Sequence, residues 1–202
     1  MLIIISSAVS IKNEAQLINE LFYAGLKIFH LRKPGVEEQD IYSLLNYIET
    51  KYHAQIALHQ YHHMAEKYGI NRLHFTEVKR QETSSNELRN LKDSGLILST
   101  SIHHISEYAG LSECFDYTFF GPVFNSISKQ GYSSTLSMDF KMPLIQNHPL
   151  AVAIGGITAA NLLEALNKNF AGVAALGTIW QQPEQSIEQF KTLQHAWKQT
   201  GR

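Results

Sequence analysis

Short apolar runs alternate with longer amphipathic stretches along the whole chain. Leu2 to Ile5 is the first run, and after Asn13 a helical period takes over to about Ala24, where Gly25 stops it. Further runs lie at Lys27 to Leu31, Gln55 to Leu58, Leu73 to Phe75, Leu96 to Leu98, Tyr117 to Phe120, Leu150 to Ile154 and Gly172 to Leu176. Between them the pattern predicts helices from Glu37 to about Tyr52, Met64 to about Tyr68, around Glu87 to Leu91, through Ser106, and from Ala159 to about Asn167. The segment around Met138 to Ile145 is weak, and Pro183 begins a closing helix to about Lys198. Continuous apolar runs mark strands buried on both faces, as parallel strands under helices are.

Eight strand-and-crossover units predict an α/β fold, a compact (β/α)8 TIM barrel over residues 1–202 as a single domain. An open doubly wound sheet is the alternative that the same alternation permits. Composition narrows the function. With 202 residues, 44% of them apolar, and a formal net charge of -1, the chain fits one ordinary soluble core and lacks the basic footprint of a nucleic-acid binder. One cysteine, Cys114, rules out an internal disulfide and makes a reducing, cytoplasmic home the simplest expectation. The opening MLIIISS has no basic leader and is too short to span a bilayer, so no membrane partner is expected.

In either architecture chemistry belongs at the carboxyl ends of the strands. The second strand ends His30-Leu31-Arg32-Lys33; alternation puts His30 and Arg32 on one side, and if Leu31 faces the helices Arg32 faces the lumen. Its guanidinium suits a phosphate or diphosphate, with a structural ion pair as the alternative. The seventh strand runs into Gly155-Gly156 and the eighth into Ala175-Leu176-Gly177; glycine-bearing turns there form a phosphate cup. After the sixth strand, FFGPVFNSISKQGYSS offers Ser126, Ser128 and Lys129 as a lid over a second anionic group, with Gly131 as hinge. Ten histidines include His59, His62, His63, His74, His103 and His104 near strand ends. They could ligate zinc, yet no HExxH or close carboxylate pair accompanies them; hydrogen-bonded histidines, one or two carrying protons, are the simpler reading.

HLRKP, SIHHISE, FFGPVFNSISKQGY and AVAIGGIT, in this order and spacing, resemble the thiamine phosphate synthase and TenI family from the second strand to the eighth. The resemblance implies a (β/α)8 barrel that holds a thiazole phosphate and, in the synthase, an aminopyrimidine methyl diphosphate whose diphosphate leaves as the rings join. It implies Arg32 on the diphosphate, Ser101 after strand five, Ser126, Ser128 and Lys129 from the loop, and Gly156 with the Ala175 to Gly177 amides on thiazole phosphate. It also implies magnesium, a hard cation that commonly bridges phosphates to carboxylates. Here Glu77 is the one candidate ligand; Lys79 takes what looks like the aligned acidic position, His59-Gln60 replaces Asn-Asp, and His30 and Pro34 replace the Gln and Lys that flank the arginine.

The TenI branch includes a thiazole tautomerase that moves a proton and needs less of a metal site. Its histidine falls at Pro122 here, which leaves His30, His59 and His103 as candidate bases and His59 as the choice. A phosphate-binding protein without catalysis is the third reading. The resemblance also suggests a homo-oligomer, with Phe115, Tyr117, Trp180 and Trp197 as interface or core aromatics.

Overall fold

The structure, a computed structural model, describes residues 1–125 and 136–201. In chain order it contains β1 (Leu2–Ile5), α1 (Glu14–Tyr23), β2 (Ile28–Leu31), α2 (Glu38–Tyr47), β3 (Ile56–Leu58), α3 (Met64–Tyr68), β4 (Arg72–Phe75), α4 (Glu77–Glu82), α5 (Ser85–Asp93) and β5 (Ile97–Ile102). It continues with β6 (Tyr117–Phe120), β7 (Leu150–Ile154), α6 (Leu162–Asn167), β8 (Gly172–Ala175), α7 (Gly177–Trp180) and α8 (Ser186–Gln199). Each strand pairs in parallel with the next, and β8 returns to β1 with Ile3 beside Ala174. That closing pair excludes the open sheet.

The pleat separates two cores. Phe29, Leu31, Leu58, Leu73 and Val173 face outward and pack under the helices. Ile3, Ile5, Tyr117, Phe119, Val152 and Ala174 cluster separately in the lumen. His30, His74 and Ser99 are buried too, at 0%, 1% and 1% exposure, so part of the barrel's filling is polar and has to be hydrogen-bonded. Phe115, Tyr117 and Trp180 are buried, which makes them core rather than interface, and Trp180 Nε1 donates to the Ile5 carbonyl at 2.6 Å. Among the described residues, no helix is long and apolar enough to cross a membrane.

Several boundaries differ from the sequence pattern for local reasons. The helix expected to reach Tyr52 ends at Tyr47; Ile48 turns extended, and a 3-10 turn over Thr50–Gln55 follows. Buried His53 holds this corner, bonding the Ile48 and Tyr68 carbonyls at 3.0 and 3.1 Å. Strand β5 runs on to Ile102 because its polar residues are satisfied in the barrel: Thr100 Oγ1 donates to the Phe75 carbonyl at 2.8 Å. The helix expected through Ser106 is a 3-10 turn over Ile105–Gly110. Around Met138 to Ile145 the chain is irregular and tied by Lys168, whose Nζ donates to the Met138 carbonyl at 2.7 Å. The helix expected from Ala159 begins at Leu162.

Candidate active site

The carboxyl ends of the strands surround a cavity of about 500 Å³. Arg32, His59, Glu77, Ser101, Gly155, Gly156, Leu176 and Gly177 all line it, so most of the residues singled out in sequence meet in one place. Two do not. His30 lies beneath the cavity, fully buried behind His59, and Ala175 belongs to the outer core. Alternation on β8 explains the second correction, since Ala174 and Leu176 take the inward positions. Ser126, Ser128, Lys129 and Gly131 lie outside the described residues.

Arg32 is exposed at the mouth, whereas its neighbour Lys33 is 2% exposed. The structural ion pair considered for Arg32 belongs to Lys33: its Nζ donates to Glu14 Oε2 at 2.6 Å and to the Val9 carbonyl at 2.9 Å. Burial raises the Glu14 pKa and Lys33 pulls it back. The Arg32 backbone is fixed from β1, where Ser6 Oγ accepts from the Arg32 amide and donates to its carbonyl, both at 2.8 Å. Gln60 does the same for Lys33, accepting from its amide at 3.1 Å and donating to its carbonyl at 2.6 Å. The sequence reading missed Ser6, and took Gln60 only as a lost acidic residue. Both polish the backbone that aims the guanidinium.

The paired glycines solve a backbone problem before they meet any ligand. Gly155 and Gly156 have φ of +94° and +65°, in the left-handed region where L side chains are strained. A Cβ at Gly155 would meet Pro122 Cα at 2.7 Å, and one at Gly156 would meet Phe124 Cβ at 2.8 Å and the Asn125 carbonyl. The turn after β7 is therefore packed against the segment after β6, which Val123 and Phe124 reinforce by donating to the Ile154 and Gly155 carbonyls at 2.9 and 3.1 Å. Asn161 completes the turn: its Nδ2 donates to the Gly156 carbonyl at 2.9 Å and its Oδ1 accepts from the Thr158 amide at 2.8 Å. Thr178 Oγ1 donates to the Ile157 carbonyl, joining this turn to the start of α7. In the first turn of α7 the Ile179 and Trp180 amides already donate to the Leu176 carbonyl, both at 3.1 Å, so an anion beside Gly156 would meet the amides ahead of them, those of Gly177 and Thr178.

The floor of the cavity is a histidine cluster. His30 Nδ1 lies 2.9 Å from His59 Nε2, and its Nε2 lies 2.7 Å from the Tyr117 hydroxyl. His74 sits between two serines, with Nδ1 2.9 Å from Ser99 Oγ and Nε2 3.0 Å from Ser101 Oγ. His59 Nδ1 is buried, has no hydrogen-bond partner, and belongs to a side chain that lines the cavity. Burial pushes His30 down from 6.5 to about 3, with the Arg72 charge adding to the effect. Burial also holds His59 and His74 well below 6.5, helped by the neighbouring rings and by Arg32. Burial lifts Tyr117 to about 12. At neutral pH the cluster consists of neutral imidazoles and a neutral phenol.

Two metals can be tested against these donors. Ligand atoms of His30, His59 and His74 come within 4.8 Å of one another. However, the His59 and His74 rings are stacked, 3.9 Å apart and 23° from parallel, so their in-plane lone pairs run side by side rather than toward one point. Arg32 and Arg72 add positive charge, and among the described residues no carboxylate is hydrogen-bonded to the cluster, so the rings do not fit a zinc-type dication. For magnesium, the described lining supplies one carboxylate, Glu77. That falls short of an oxygen shell made by the protein.

Comparisons with known proteins fit this geometry. A family profile described as thiamine monophosphate synthase matches residues 1–179. A Geobacter sulfurreducens relative, provisionally named a thiamine-phosphate synthase, is 33% identical over 98 residues, 48% of this chain and 46% of the relative. The chain thus spans about half of that relative. A thiamine-phosphate synthase of Caldicellulosiruptor bescii is 22% identical over 83% of this chain and 78% of its own. The solved thiamine phosphate pyrophosphorylase of Bacteroides thetaiotaomicron superposes with a TM-score of 0.76 at 24% identity, covering 98% of this chain and 97% of that one.

Proposed function

The chain belongs to the thiamine monophosphate synthase family, and from that premise we propose that it works in thiamine biosynthesis by joining an aminopyrimidine methyl diphosphate to a thiazole phosphate with release of diphosphate. The observation that carries this reading is the meeting of Arg32 with the Gly155-Gly156 and Leu176-Gly177 turns around one cavity. In a dissociative substitution the protein's work is to hold two rings in register and neutralise the charge that leaves. Thiazole phosphate sits on the turn amides beside Gly156 and Gly177. Arg32 faces the diphosphate with its fixed fork of donors, and Ser101 borders the reacting centre. Ser126, Ser128 and Lys129 belong to this proposal through the family resemblance. Phe119 and Ile157 supply apolar wall that excludes water. No step is assigned to magnesium.

Incubation with both substrates and magnesium is expected to give thiamine phosphate and diphosphate in equal amounts; neither product at saturating substrate defeats the reading. Arg32→Ala is expected to weaken diphosphate binding about 10- to 100-fold, the scale of one or two charge-assisted hydrogen bonds. Thiazole phosphate binding should change much less in calorimetry. Equal losses for both ligands would make Arg32 a support of the barrel instead.

A second reading, a proton-transfer isomerase acting on a thiazole phosphate, is favoured by the neutral histidine floor and by Glu77 being the single carboxylate among the described lining residues. Such chemistry requires a phosphate anchor and a placed acid or base. His59 is that group: its side chain lines the cavity, and its buried Nδ1 has no hydrogen-bond partner among the described residues. His103 also lines the rim but already bonds the Gly121 carbonyl at 3.3 Å, and His30 is screened by His59. Thermal stabilisation by thiazole phosphate without either reaction is the outcome that would leave a binding protein.

A further inference from the structure

Strand β2 ends at Leu31, where the last ladder bonds run from the Ser6 amide to the His30 carbonyl at 2.9 Å and from the His59 amide to the Leu31 carbonyl at 3.2 Å. Beyond that point side chains replace backbone. Ser6 Oγ accepts from the Arg32 amide and donates to the Arg32 carbonyl; from the other edge Gln60 Oε1 accepts from the Lys33 amide and its Nε2 donates to the Lys33 carbonyl. Each side chain thus satisfies one donor and one acceptor of a single residue. Ser6 is fully buried, and Lys33 is drawn away by Glu14 and the Val9 carbonyl, so that of the two neighbouring cations only Arg32 lines the cavity. Neither Ser6 nor Gln60 is among the described residues of that lining.

We infer that Gln60, together with Ser6, is a positioning residue for Arg32, and that position 60 works in this chain as an amide and not as a metal ligand. The inference rests on the synthase reading for its ligand, the leaving diphosphate. The clamp on Lys33 requires a donor and an acceptor on one side chain, because the Lys33 amide offers a hydrogen and the Lys33 carbonyl takes one. An amide supplies both. A carboxylate has acceptors only, so the acidic residue that the family resemblance implies at this place would set an oxygen against the Lys33 carbonyl. That carbonyl is held in place from a second side, since it also accepts from the Val36 amide at 3.2 Å. What the clamp contributes is preorganisation: a guanidinium carried on a fixed backbone loses less freedom when it closes on an anion. Released from either edge, Arg32 would lose affinity for diphosphate, while the glycine turns across the cavity would keep theirs for thiazole phosphate.

The test is calorimetry of inorganic diphosphate on the full chain, as wild type, Ser6→Ala, Gln60→Glu and each of these combined with Arg32→Ala, with magnesium and with a chelator. Gln60→Glu keeps the size of the side chain and removes its donor; Ser6→Ala carries the test alone if the glutamate variant fails to fold. Each is expected to weaken diphosphate about three- to tenfold, the scale of ordering one long side chain, by the same factor with and without magnesium. Thiazole phosphate affinity should stay within about twofold, on the same scale. In the Arg32→Ala background neither change is expected to have a further effect, an outcome that general loosening of the mouth does not produce. Amide hydrogen exchange reads the clamp without ligand: the Arg32 amide should exchange about tenfold faster in Ser6→Ala, and the Lys33 amide in Gln60→Met, which removes donor and acceptor together. Wild-type affinity in the variants, equal losses with and without Arg32, or magnesium-dependent tightening in Gln60→Glu would overturn the inference. If wild type binds no diphosphate the synthase reading fails, and the exchange rates decide the clamp: unchanged rates overturn it and faster ones uphold it.

Discussion

Lowering the pH from about 7.5 to about 5 is expected to remove much of the stability of the fold, by about 2 kcal/mol for each imidazole that remains neutral in the barrel while its unfolded counterpart protonates. The sign follows from the direction of the shifts. His30, His59 and His74 are all pushed below 6.5 by burial. Between those depressed values and 6.5 the unfolded chain binds protons that the native barrel refuses, so stability rises with pH through that window and is fully present above it. Three such rings give up to about 6 kcal/mol, comparable with the whole stability of a typical domain. Ordinary carboxylates, with reference values near about 4, remain largely ionised at pH 5 and contribute little there. Urea unfolding at the two pH values should show a large fall in midpoint with an unchanged slope. Equal midpoints would mean that the three rings share a proton or reach water in the native state.

Gly156→Val is expected to abolish thiazole phosphate binding and to destabilise the chain by about 3 kcal/mol, the sum of overpacking and a left-handed β-branched residue. Steric occupation of the ligand's place is the obvious reason from sequence, but the structure moves the cause into the protein. The space for a side chain at 156 is already taken by Phe124 and Asn125. Valine would push the turn after β7 off the segment after β6 and take the anchor's amides with it. Asn161→Ala separates the two effects, because it leaves the glycine intact while releasing the Gly156 carbonyl and the Thr158 amide. It should cost about 1 kcal/mol, as lost caps do, and weaken thiazole phosphate about tenfold in calorimetry. Normal affinity in folded Gly156→Val would show that the anchor lies elsewhere.

The eight strands were legible because each is a short apolar run buried on both faces, and the barrel followed from their strict alternation with helices. What escaped were elements whose polarity is satisfied internally. Ser99, Thr100 and Ser101 read as the end of a strand, yet they continue it, because their hydroxyls bond His74 and the Phe75 carbonyl on neighbouring β4. The mouth residues Arg32, His59, Gly155, Gly156 and Gly177 could be found by asking which residues end each strand, whereas Ser101 entered only through the family resemblance. His30 and Ala175 were misplaced by one step each, since strand-end position does not say how deep a side chain lies or which way the last pleat points. Tyr117 was the largest omission. An aromatic opening a strand reads as core, and only its two-residue alternation with Phe119 hinted that its hydroxyl faced the lumen histidines.

A crystal structure with thiazole phosphate bound tests the central claim most directly. The account places the phosphate on the amides of the Gly156 and Gly177 turns, with the ring over His59 and Ser101 and the Arg32 guanidinium facing the open side of the same cavity. Phosphate density away from those turns, or a ring that leaves His59 Nδ1 without a neighbour, would contradict it.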